Sequence, residues 1–127
     1  MKLKHLFIIN AIISLGFAFG ELLITKTMFS LFVTETPTAG AILVARYFGW
    51  GLLAVGLICA FVATAPPSEA KQSIVKALFI ADVVGLIVSL MGIFSGTFTA
   101  LGWSAVVIYV FLAAGYGYFW FIKPETV

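Results

Sequence analysis

Three ionisable residues stand inside long apolar runs of this sequence: Glu21, Arg46 and Asp82. A charge in such surroundings is costly, so where one persists it pairs with another or marks an ion, proton or ligand site. Two carboxylates face one guanidinium, which leaves one acid without a counter-charge and makes it a candidate proton or ligand site. Other polar residues fall on the same helical stripes. Asn10, Ser14, Glu21 and Thr25 follow one another at intervals of four, seven and four, which is one face of a helix. Asp82, Gly85, Ser89, Gly92 and Gly96 make a second stripe. Arg46 shares a face with Trp50, whose indole can shield or stack on a guanidinium. Glu21, Arg46, Asp82, Asn10, Ser14 and Ser89 are therefore the expected polar network. It acts either as an ion-pair cluster that fixes helix packing or as a path for a proton or small solute.

Conventional catalysis has little to work with. No HExxH, GxSxG, P-loop or dinucleotide-binding glycine pattern occurs, so no catalytic residue is assigned and an enzyme is not expected. Cys59 is the single cysteine, too few for a disulfide within the chain or a zinc site, and reads as a small apolar packing residue. His5 follows Lys4 with no second ligand nearby and reads as a solvated boundary residue. No metal is expected, and the residues indicate no particular cofactor.

The elements that must position the network follow from composition. The chain has 127 residues, of which 63% are hydrophobic and 9% charged, with a mean hydropathy of +1.20. Soluble domains carry about 25% charged residues. Twelve charged side chains cannot clothe a water-soluble fold of this size, so the expected solvent is lipid. A net charge of +2, thinly scattered, gives no nucleic-acid surface. A helix needs about 20 apolar residues to cross the hydrocarbon core. Four segments meet that length, at 6–26, 40–64, 73–95 and 99–122. Residues 1–127 thus read as a single transmembrane domain, an all-α integral membrane four-helix bundle. Ala18-Phe19-Gly20 loosely resembles a signal-peptidase site behind Lys2 and Lys4, but the segment is read as the first membrane helix. Residues 27–33 either extend that helix or lie along the interface as a short amphipathic turn, the reading preferred here.

Alternating crossings place Lys2, Lys4, Lys71, Lys76 and Lys123 on one side and only Lys26 on the other. The positive-inside bias then gives a topology with both termini in the cytoplasm, and Tyr116, Tyr118 and Trp120 read as an aromatic belt at that interface. At about 1.5 Å rise per residue, Glu21 and Arg46 share a level in the outer third, and Asp82 lies near the midplane. Arg46 is long enough to reach either acid. Small residues four apart recur, with Gly16, Gly20, Gly49, Gly92, Gly96 and Gly117 as expected points of close helix packing or self-association.

Ala45-Arg46-Tyr47-Phe48-Gly49, Lys76 to Asp82, Ala100-Leu101-Gly102-Trp103 and Gly115-Tyr116-Gly117-Tyr118-Phe119 together resemble small four-helix bacterial membrane proteins and are distantly similar to the DoxX-like group. The resemblance implies a fold and a bacterial inner membrane, and no activity. The expected function is a non-enzymatic membrane protein, an accessory or structural subunit of a larger membrane assembly. Its partners would be the bilayer and other membrane subunits or further copies of itself. The alternative is a small proton-coupled transporter or channel using the Glu21, Arg46 and Asp82 seam.

Overall fold

The computed structural model describes residues 1–125. Among these the regular elements are all helices, joined by short turns, with one isolated antiparallel bridge between Val33 and Phe98. Helix α1 spans Leu3–Leu23, α2 Thr25–Phe32, α3 Ala39–Val62, α4 Glu69–Phe94 and α5 Gly102–Gly117, which continues into a π-helical turn, Tyr118–Ile122. Four segments are long and apolar enough to cross a membrane: α1, α3, α4 and the continuous stretch Gly102–Ile122.

The helix ends depart from those expected by hydropathy, and each shift has a local cause. Helix α1 begins at Leu3 rather than residue 6 because Leu3, Leu6 and Phe7 are buried while Lys4 on the same turn stays exposed. Its end comes at Ile24, whose backbone (φ −126°, ψ 50°) leaves the helical region. Residues 25–32 then form a helix of their own with Thr25 buried and Lys26, Thr27 and Ser30 exposed. The start of α4 at Glu69, ahead of residue 73, is set by a cap. Ser68 Oγ accepts from the Lys71 amide at 3.1 Å, and Glu69 places a negative charge at the positive end of the helix dipole. Thr38 caps α3 in the same way, accepting from the Ala41 amide at 3.1 Å.

Helix α1 packs along α3, and α4 packs along α5; the consecutive helices α3 and α4 do not lie against each other. Without a hydrophobic drive between helices in lipid, close backbone approach supplies the association. On α3, a Cβ at Gly49 would stand 2.7 Å from Glu21 Cβ, and one at Gly56 would stand 2.7 Å from Leu15 Cγ. These glycines are seven residues apart and form the face that seats α1. On the other hairpin, a Cβ at Gly85 would meet the Tyr109 ring at 2.7 Å, and one at Gly92 the Phe98 ring at 2.7 Å.

The two helix pairs are joined at both ends. At the end holding the N-terminus, Leu3, Leu6, Phe7, Ala11, Cys59, Ala63, Val75, Leu112, Tyr116 and Phe119 make one buried apolar core. At the opposite end the segments after α2 and after α4 clasp each other. The Thr34 amide donates to Thr97 O and the Thr99 amide to Phe32 O, each at 2.9 Å. Thr34 Oγ1 donates to Gly96 O at 2.9 Å, and Thr99 Oγ1 to Leu31 O at 2.5 Å. Gly96 turns the chain there with φ +76°, a conformation glycine adopts without a Cβ penalty.

Candidate functional site: two buried carboxyls in separate polar groups

The first polar group sits where α1, α2 and α3 meet, near the clasped end. Glu21 is the third-last residue of α1 and buried, 8% exposed, with its Cβ pressed to Gly49. Thr25, the first residue of α2, donates from Oγ1 to Glu21 O at 2.5 Å. Arg46 donates from Nε to that same Thr25 Oγ1 at 3.4 Å. The guanidinium therefore meets the backbone end of Glu21 through a threonine and not its carboxylate. Among the described residues Arg46 forms no ion pair with Glu21 or Asp82, and Glu21 Oε2 is buried without a hydrogen-bond partner. Arg46 itself is exposed on the surface of α3, and Trp50 shares its face without stacking on it.

The second group lies at mid-depth and below, between α1, α3, α4 and α5. Asp82 is the fourteenth of the 26 residues of α4, about 20 Å from its start at ~1.5 Å per residue. It is 7% exposed, and its Oδ2 has no partner among the described residues. Cys59, Tyr109 and Tyr116 are among its neighbours in the bundle interior. Beside it runs a short chain of hydrogen bonds. Ser14 Oγ donates to Asn10 Oδ1 at 2.9 Å, Asn10 Nδ2 donates to Tyr116 Oη at 2.8 Å, and Cys59 Sγ lies 3.9 Å from that phenol. Ser14, Asn10 and Tyr116 are 5%, 2% and 0% exposed, so this polar chain is sealed from the surface.

Three placements differ from those expected, and among the small residues Gly16 makes no close contact within the chain. Glu21 and Asp82 do not share one arginine-centred seam; they belong to different groups. Ser89 lies on the Asp82 stripe, yet its Oγ donates to Gly85 O at 2.8 Å, a bond within its own helix that uses its only donor. Tyr116 is not a belt residue but a buried member of the second group, whereas Tyr118 is 42% exposed. Gly16 has no neighbour within 4 Å of a Cβ position; it borders an apolar crevice of about 410 Å³ with Ile12, Ile13, Phe17, Met28 and Ile108. Gly20 meets only the flexible Met28 side chain, and Gly117 meets Phe79.

Residues that carry the second group were legible in part. Tyr109 and Tyr116 are seven apart and so share a face of α5, the signal that would have paired them with Asp82. Lys71 had no such signal. It is 6% exposed, donates from Nζ to Ala65 O at 2.8 Å, lies 3.6 Å from Glu125 Oε2 and sits over the Phe7 ring. It closes the core at the lysine-bearing end. Nearby, Gln72 Nε2 donates to Phe119 O at 3.1 Å within the π-helical turn. No group of three metal-binding side chains occurs among the described residues.

Neither acid is neutralised by the arginine, so this geometry offers two separate sites at which a proton or a small polar solute can be held. Comparison with protein-family models, with curated proteins and with solved structures finds no match for this chain.

Proposed function

We propose that the chain is a small proton-coupled carrier or channel of the bacterial inner membrane, with Asp82 as the group that takes up and releases the proton. One observation carries this reading. A carboxyl lies buried at the midpoint of a membrane-length helix, with an oxygen that no donor meets and no cation beside it. A purely structural acid would be tied to a partner helix; Asp82 is tied to none among the described residues. The sealed chain Ser14, Asn10 and Tyr116 beside it provides polar groups between mid-depth and the lysine-bearing end.

The lysine distribution supports an orientation with both termini in the cytoplasm. Proteoliposomes loaded with a pH-sensitive dye test the proposal. The expected result is proton flux that is lost in Asp82→Asn and kept in Glu21→Gln. Equal flux in Asp82→Asn and the parent would remove the reading.

A second reading, an accessory subunit of a larger membrane assembly, is favoured by a different observation. Gly16 and Gly51 face open space, with no atom within 4 Å of a Cβ position, where a further transmembrane helix can approach closely. The distant DoxX-like resemblance is compatible with either. Native mass analysis from mild detergent separates them: a lone monomer with flux favours the carrier, and a stable hetero-complex without flux favours the subunit.

A further inference from the structure

Arg46 is not explained by proton handling. It lies seven residues into α3, about 10 Å from the helix start at ~1.5 Å per residue, on an exposed face. Only its Nε has a partner, Thr25 Oγ1, and its two Nη nitrogens make no hydrogen bond or ion pair among the described residues. Leu43, Tyr47 and Trp50 join it in lining a shallow groove of about 250 Å³ along α3. A side chain on a helix leans toward the helix N-terminus, which on α3 is the clasped end. Long cationic side chains near helix ends extend along apolar surface and put their charge at the headgroup level. Thr25 fixes the inner side of the guanidinium, so the free Nη edge is presented to the groove. Lys26, the next residue, adds a second exposed cation at the same end.

We propose that this groove binds one anionic glycerophospholipid, its phosphate on the Arg46 Nη edge and an acyl chain against Leu43, Tyr47 and Trp50. The planar guanidinium matches a phosphate in a paired geometry, which a zwitterionic headgroup offers with an opposing cation attached. The groove walls lie on one helix and are largely apolar apart from Arg46, with Lys26 exposed at the same end, which suits an acyl chain below an anionic headgroup; a second copy would have to bring an exposed acid such as Glu35 to the guanidinium, an outcome the test below separates.

Trp50 is a reporter already in place. With the other two tryptophans replaced (Trp103→Phe, Trp120→Phe), its fluorescence is quenched by brominated lipids in bilayers of defined composition. Brominated phosphatidylglycerol is expected to bind about five-fold more tightly than brominated phosphatidylcholine, the preference one basic side chain near the surface confers. Arg46→Gln should bring that ratio to near one, and Arg46→Lys should keep part of it, each at unchanged helical content by circular dichroism. Soluble glycerol phosphate should not compete. Equal quenching by the two lipids in the parent, a preference retained in Arg46→Gln, or competition by soluble phosphate would overturn the proposal. So would Trp50 shielded from both lipids together with an oligomer that Arg46→Gln dissociates, which would give the groove to a second copy. None of these readouts depends on proton flux.

Discussion

At the scale of single residues, the two acids behave differently because their neighbours differ. Glu21 is held against α3 by the missing side chain of Gly49, and its backbone oxygen is occupied by Thr25. Asp82 has tyrosines and a cysteine as neighbours but no donor on Oδ2 among the described residues. Both acids lie on the polar stripes of their helices, and each is more than nine-tenths buried. A stripe fixes which way a side chain faces and leaves its partner to the local backbone. Whether Arg46 meets a carboxylate or Thr25 depends on the break at Ile24, which swings Thr25 under the guanidinium; reading residues 27–33 as a separate turn expects a break nearby but not its place ahead of Thr25. The bond from Asn10 to Tyr116 can be weighed directly. Tyr116→Phe keeps the ring and removes the acceptor, and is expected to lower stability by roughly 0.6–2 kcal/mol. Thermal unfolding in lipid nanodiscs measures it; an unchanged midpoint would mean the bond contributes nothing in a bilayer.

At the scale of helices, the number and type of elements were readable because lipid imposes length and apolarity on any spanning segment. Their ends were less readable, because caps such as Ser68 and kinks such as Ile24 are set by a few polar or backbone interactions that hydropathy ignores. The small-residue reading named Gly49 and Gly92 but passed over Gly56 and Gly85, although each has a small residue four positions away (Ala60; Ala81 and Ser89) and each sits at a close contact. This supports a graded mutational test. Gly56→Val must displace Leu15 and is expected to destabilise the fold by about 1–3 kcal/mol. Gly51→Ala, facing open space, should leave the thermal midpoint unmoved or slightly raised. Equal effects at the two positions would contradict the packing of α1 on α3.

The whole molecule is two helix pairs tied at both ends, by the apolar core at one and by the backbone clasp at the other. Asp82 lies at mid-depth, and the polar chain runs from Ser14 through Asn10 to Tyr116 in the apolar core, so the proposed proton site stands between the two ties. The orientation is testable by single-cysteine labelling on a Cys59→Ala background. Thr36→Cys, in the connection between α2 and α3, should react with an impermeant maleimide added outside cells. Ser68→Cys, between α3 and α4, should react only after permeabilisation; the reverse pattern would invert the topology. The central claim concerns Asp82, and infrared spectroscopy of the protein in bilayers tests it most directly. A carboxyl C=O band that comes and goes reversibly with pH, and that is missing from Asp82→Asn but present in Glu21→Gln, is the predicted result. The same titrating bands in Asp82→Asn and the parent would contradict it.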